Sequence, residues 1–179
     1  MGIVDSENSQ KNQTKEETAG VKNFIAPNAT VVGDVTIGSE ATVWFQAVLR
    51  GDANSIRVGE RTNIQDGTII HVDHDAPTII AEDVTVGHQC MLHGCKIEKG
   101  ALIGMSSIVL NHAVIGENSL IGAGSLVTQG TVIPQNVLAF GRPAKVIRPL
   151  TEEEIANNKA NIAHYVSLGK DYLHGKYVY

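Results

Sequence analysis

Aromatic side chains are scarce in this sequence, at 4% of residues, and cysteine appears only twice. A core with few rings must be filled by Val, Ile, Leu and Ala, which suits small units stacked regularly. Cys90 and Cys95 form no CxxC pair and supply no disulfide framework, so a metal site here has to lean on histidine or carboxylate. No apolar run approaches membrane-spanning length, and no charged-then-apolar signal segment opens the chain. A cytoplasmic protein with no membrane partner is therefore expected. Basic charge is not in excess either: the formal net charge is -5. That balance disfavours a nucleic-acid partner or an anionic membrane surface.

What is present is glycine, eighteen residues against five prolines, and a repeat. The 179 residues suffice for one domain with its own core. Residues 1–22 are polar and aperiodic and read as a tail. Residues 23–148 carry a six-residue period. Aliphatic side chains recur at Ile25, Val31, Ile37, Val43 and Leu49, then at Val58, Ile64 and Ile70, then at Ile80, Val86 and Leu92. The last run is Ile97, Ile103, Val109, Ile115, Ile121, Val127 and Ile133. Between these runs the step is nine, ten and five residues. A small or β-branched residue usually stands four places after the aliphatic, as at Ala41, Ala47, Thr62, Thr68, Val84, Cys90, Ala101 and Ser107. Glycine often follows the aliphatic directly, as at Gly38, Gly59, Gly87 and Gly104, and is expected to turn the corners. This pattern predicts an all-β repeat fold, a parallel β-helix of triangular coils with three hexapeptides per coil. Residues 149–179 make a separate segment. There Thr151-Glu152-Glu153-Glu154 is a capping-box pattern, and the spacing beyond it predicts one helix over about 151–173 along the prism flank.

Three hexapeptides per coil put Ile70 and Leu92 on one face, one above the other. His71 and His93 follow them by one residue, so they stack roughly one strand spacing (~4.8 Å) apart. Two imidazoles so placed can converge on one zinc ion, whose Zn–N distance is ~2.0–2.1 Å. Arg50 follows Leu49 and stands in the same column, one coil below His71. His88 belongs to the preceding face, a third of a turn away, and reaches such a metal only if it is held by a neighbouring subunit. The spacing argues for a cyclic homotrimer with shared sites. Gln65 and Asn63 lie one coil below on the His88 face. His74, His112, His164 and His174 read as solvated, and Cys90 reads as core. Arg50 with Asp52, and Gln65 with Asn63, also fit plain surface or corner roles.

The run Leu49-Arg50-Gly51-Asp52-Ala53-Asn54-Ser55-Ile56-Arg57-Val58-Gly59, then Thr62-Asn63-Ile64-Gln65-Asp66, His71, Gly87-His88 and Leu92-His93-Gly94-Cys95, resembles the gamma-class carbonic anhydrase family. The similarity runs from about Phe24 into the C-terminal helix and is greatest to the shorter members. The resemblance implies a left-handed β-helix and a homotrimer. It also implies zinc, or iron or cobalt (Zn2+, Fe2+ or Co2+), held by His71, His88 and His93 across each interface, with CO2 and bicarbonate as substrates. By the same resemblance, Arg50 and Asp52 form an intersubunit ion pair, and Gln65 and Asn63 position the reacting oxygen or bicarbonate. Asp66 helps hold the site, and Tyr165 on the helix lies near the metal. The sequence departs from the family prototype after His71, where only HVDHDAPT leads to Ile79 in place of a long acidic loop bearing a proton-shuttle glutamate. Slow proton export is expected from Asp73, His74 and Asp75 alone. Two other readings stay open. One is a metal-dependent acyl-CoA thioesterase with Arg57, Arg61 and Lys96 lining a basic cleft. The other is an assembly role in which the metal only staples the trimer. A hexapeptide acyltransferase with one histidine base would not account for His71 and His93 in register.

Overall fold

A computed structural model describes residues 22–177. Residues 1–21 of the expected tail lie outside it. The chain winds as a left-handed parallel β-solenoid of about six turns and ends in one helix. Most strands are two or three residues long, because a strand in this fold ends at each corner of the triangle.

The register follows the aliphatic columns. On the first face Val43 pairs with Ile64, Ile64 with Val86, Val86 with Ile103 and Ile103 with Ile121. On the second, Leu49 pairs with Ile70, Ile70 with Leu92, Leu92 with Val109 and Val109 with Val127. On the third, Val58 pairs with Ile80, Ile80 with Ile97, Ile97 with Ile115 and Ile115 with Ile133. All of these side chains point into the prism and are buried. Each contributes about 1.5–3 kcal/mol by leaving water. The small residues four places on, Ala41, Ala47, Thr62, Thr68, Val84, Cys90, Ala101 and Ser107, are buried beside them. Burial pushes the Cys90 thiol up to about 11 and the Cys95 thiol to about 12, so both are inert core residues.

The glycines after the aliphatics do a different job from the one expected. The left-handed corner conformation falls three places after the aliphatic, at residues such as Arg61, Asp83, Gln89 and Ser106. Gly59 and Gly104 instead let the next coil come close. A Cβ on Gly59 would meet the Ala81 carbonyl carbon at 2.4 Å, and one on Gly104 would meet the Ala123 nitrogen at 2.5 Å.

The nine-, ten- and five-residue steps follow Leu49, Ile70 and Leu92. The register therefore places all three at one corner, between the second and third faces. There the strand Val48–Val58 runs on without a corner and joins the two faces into one sheet. Asn54 Nδ2 ties this segment to the Asp73 and His74 carbonyls of the coil above.

The repeat closes with an antiparallel hairpin, Val137–Gly141 with Ala144–Pro149, which the repeat pattern does not announce. Helix α1, Glu152–Leu173, follows. Its cap is the expected box, with Thr151 and Glu154 each accepting from the other's backbone N–H. The helix runs down the outside of the first face. Asn158 Nδ2 donates to the Gly100 carbonyl, Asn161 Nδ2 to Thr85 Oγ1, and Gly169 packs on Thr42 and Phe24. Most of the few aromatic side chains gather under this helix: Phe24, Trp44, Phe45, Tyr165 and Tyr172. Among the described residues, no helix is long and apolar enough to cross a membrane.

Candidate metal centre

His71 and His93 are paired residues of neighbouring strands, Ile69–His71 and Met91–His93. Ile70 and Leu92 point inward, so the histidines that follow point outward at the irregular corner. Their rings lie 5.0 Å apart between centroids, with His71 Nδ1 3.1 Å from His93 Nε2. The outer nitrogens are engaged. His71 Nε2 is 2.9 Å from Asp52 Oδ1. A carboxylate only accepts, so His71 Nε2 carries the proton. His93 Nδ1 donates to Asn111 Oδ1 at 2.5 Å, and Asn111 Nδ2 donates to Asp73 Oδ2 at 3.1 Å. The Asn111 amide is thereby oriented by a carboxylate, and it fixes the His93 tautomer in turn. Two unprotonated nitrogens are left facing one another. Their lone pairs repel unless a cation, a shared proton or a metal, stands between them.

The charges around the pair are consistent with this. Asp52 accepts from His71 and from the Arg50 guanidinium, and these hold its carboxyl down at about 2. Asp73 is lowered as well, first by the His74 backbone N–H and then by Asn111. Arg50 pairs with Asp52 of the same chain. Gly94, next to His93, has φ +57°, and a Cβ there would meet Ala76 Cβ at 2.7 Å and Asn111 Oδ1 at 3.0 Å. Glycine at this five-residue step is what lets Asn111 approach His93.

His88 lies on the first face, away from the pair, as the column count places it. Its Nδ1 is 2.9 Å from Asp66 Oδ2, and its side chain is half-exposed. Among the described residues, no cluster of three or more histidine, cysteine or acidic side chains forms a complete metal-binding set within one chain. Gln65 and Asn63 are not corner residues in solvent. Both are buried under the helix, with Gln65 Nε2 donating to Asn63 Oδ1 at 2.9 Å. Tyr165 packs on Trp44, and burial first, then Asp66, pushes its hydroxyl up. Asp66 is thus near enough to act on both His88 and the helix tyrosine.

Sequence reasoning passed over Asn111. The same column count would have found it, since Val109 stands above Leu92 and Asn111 follows at the same corner. The remaining histidines are peripheral: His74, His112 and His164 are exposed, and His174 caps the helix. The cations offered for a basic cleft are already neutralised. Arg57 pairs with Asp34, Arg61 with Asp83 and Glu60, and Lys96 with Glu98.

Fold and corner together define a hexapeptide-repeat β-helix with a paired-histidine site. The family model described as bacterial transferase hexapeptide (six repeats) matches residues 94–129. A protein of Geobacillus kaustophilus named carbonic anhydrase is 55% identical over 149 residues, covering 83% of this chain and 82% of that one. A mitochondrial gamma carbonic anhydrase 2 of Arabidopsis thaliana is 43% identical over 153 residues, covering 82% of this chain and 55% of that longer protein. A crystal structure of a putative acetyltransferase of Bacillus cereus superposes with a TM-score of 0.79 at 49% identity, covering 85% of this chain and 92% of that one. The chain belongs to the gamma-class carbonic anhydrase family.

Proposed function

We propose that this protein is a carbonic anhydrase, hydrating CO2 reversibly to bicarbonate, and that it works as a homotrimer with one divalent metal at each subunit interface. His71 and His93 of one protomer would hold the metal together with His88 of the next. Zinc is the first expectation, with ferrous iron or cobalt as substitutes. The observation that carries the reading is the state of the three rings. His71 and His93 each have the outer nitrogen hydrogen-bonded, to Asp52 and Asn111, and turn the inner nitrogen toward the other ring, while His88 Nδ1 lies 2.9 Å from Asp66 Oδ2. Neutral imidazoles oriented by carboxylate or amide partners are the donor set that zinc takes. The 3.1 Å between His71 Nδ1 and His93 Nε2 is near the ~3.3 Å that two nitrogens at a tetrahedral zinc would show. When bound, such a metal supplies a Lewis acid that makes water nucleophilic near neutral pH.

The chain's own residues do the rest. Asp52 and Asn111 would hold the His71 and His93 rings in one tautomer, and Asp66 would stand beside His88. Arg50 balances the Asp52 charge at the exposed corner. Gln65, fixed by Asn63, offers its carbonyl oxygen to orient the attacking oxygen, and Tyr165 offers a hydroxyl that stays protonated. The protons released must leave through Asp73, His74 and Asp75 of the short corner loop, so turnover is expected to be limited by that step.

The test is metal analysis of the purified protein with stopped-flow CO2 hydration, run with zinc and with anaerobic ferrous iron. About one metal per chain with metal-dependent hydration is the expected result. Metal bound at full occupancy without hydration under either condition would overturn the activity and leave the metal as a staple of the trimer.

A further inference from the structure

The geometry points to Thr85 and Asn161 as positioning residues that set, from the C-terminal helix, which end of the Gln65 amide faces the site. The inference deepens the proposed function and rests on its reading that Gln65 meets the reacting oxygen.

A directional chain of hydrogen bonds joins the helix to that glutamine. Asn161 Nδ2 donates to Thr85 Oγ1 at 3.3 Å. Asn63 Nδ2 donates to the same Thr85 Oγ1 at 3.0 Å. Asn63 Oδ1 then accepts from Gln65 Nε2 at 2.9 Å. Asn63, Thr85 and Gln65 are buried, at 1%, 3% and 5% exposure, so solvent cannot scramble these bonds.

The direction of the chain follows from what each group can do. A hydroxyl oxygen has two lone pairs and one proton. Thr85 Oγ1 spends both lone pairs on the amide groups of Asn63 and Asn161. It therefore cannot be rotated to serve another donor without losing one of them. Held as an acceptor, it requires the nitrogen end of Asn63 to face it. Asn63 must then present its oxygen to Gln65, and Gln65 must answer with its nitrogen. Gln65 Oε1 is then the end of the amide not turned to Asn63, and it is offered as an acceptor. An acceptor there orients a protonated oxygen nucleophile, whereas the flipped amide would present a donor to it.

The Thr85 proton is spent in neither bond, but with both lone pairs aimed at the two amides it points away from Asn63. Without Asn161 one of the two donors that hold the hydroxyl in that rotamer is lost, and its proton turns more readily to the Asn63 oxygen, reversing that amide and with it Gln65. Asn161 thus acts on Gln65 through two intermediates and touches no reacting atom. Nothing in the hexapeptide period calls for a hydrogen-bonding residue at either place. Thr85 occupies the outward position that Leu102 and Leu120 fill on the next coils of the same column.

The test uses the full chain loaded with zinc, with two independent readouts. One is hydrogen exchange of the Asn63 and Gln65 side-chain amide groups by 1H–15N NMR, assigned from Asn63→Asp and Gln65→Glu spectra. The other is kcat and KM for CO2, with metal content measured beside them. Thr85→Val, isosteric but without the oxygen, is expected to lose exchange protection at both amides. Its kcat should fall about 10–100-fold, in the range seen when outer partners of a site are removed, with KM and metal content unchanged. Thr85→Ser restores the oxygen and should restore both readouts. Asn161→Leu, at a half-buried helix position, should move both in the same direction and carries the test if Thr85→Val does not fold. Folded Thr85→Val or Asn161→Leu proteins with unchanged amide exchange would overturn the inference, as would a Thr85→Ser protein that stays as impaired as Thr85→Val. A wild-type protein whose two amides are protected but which never hydrates CO2 would overturn the proposed activity while upholding the hydrogen-bond chain.

Discussion

His71 Nδ1 and His93 Nε2 face one another across 3.1 Å, each on a ring whose other nitrogen is already committed. The pairing exists because the two histidines are register partners on adjacent coils. Its orientation exists because Asp52 and Asn111 hold the outer nitrogens.

Asn111 is the first residue to probe. Asn111→Ala removes the acceptor for His93 Nδ1–H and frees the ring to turn. Metal affinity is expected to fall about 10–100-fold while the fold is kept. Competition against a chelator of known affinity measures it, with circular dichroism as the control. An affinity equal to wild type would mean that His93 needs no orienting partner.

The origin of His88 can be tested by mixing. His88→Ala and His93→Ala each lack one ligand at every site of a pure trimer. In a mixed trimer, the His93→Ala chain supplies His88 and the His88→Ala chain supplies His71 and His93 at one interface. Zinc binding and hydration should reappear there, below the wild-type level. Native mass spectrometry must confirm that subunits exchange. Confirmed mixed trimers that bind no more zinc than their parents would rule out a shared site.

Helix α1 should show an acid-sensitive cap. The Arg148 guanidinium, and after it the Thr151 backbone N–H, hold the Glu154 carboxyl at about 2, below its ordinary 4.5. A lowered folded pKa means that the stabilisation is fully present above the ordinary value and disappears as pH falls toward 2. Glu154→Gln should therefore melt below wild type near neutral pH, and the gap should close as pH approaches about 2. Thr151→Ala, which removes the side-chain half of the cap, is expected to cost about 1 kcal/mol. Thermal melts across this pH range check both.

Gly59→Ala tests the close approach of coils. The new Cβ would lie 2.4 Å from the Ala81 carbonyl carbon and from the Glu82 nitrogen, both of them backbone atoms that cannot swing away. A loss of about 1–3 kcal/mol is expected from the forced separation. Chemical denaturation would measure it. A variant as stable as wild type would show that the stack yields more easily than this spacing suggests.

Much of the site is legible before any coordinates, because the repeat is a ruler. Counting three hexapeptides per coil stacks His71 on His93, sets Arg50 below them and sends His88 to another face. The steps after Leu49, Ile70 and Leu92 could also have been read as one irregular corner, since all three interrupt the same column. The column count reaches Asn111 at the same corner, but nothing in the period marks it out there, since its importance lies in a side-chain bond to His93. The role of the glycines is misread for a related reason. Sequence suggests a turn wherever glycine recurs, but at Gly59 and Gly104 the constraint is the neighbouring coil, and the left-handed positions are filled by residues such as Arg61 and Ser106.

By itself the sequence determined the coil, the columns and the capped helix, since each follows from a period or a short pattern that local geometry enforces. Only the tertiary structure decided which nitrogens of His71 and His93 are held by Asp52 and Asn111, that Asp66 reaches His88, and that Asn161 meets Thr85 across 76 residues of chain. Those facts depend on where a helix docks and which way an amide turns. Hydrogen bonds of about 3 Å are sensitive to such placements, and a six-residue period carries no record of them.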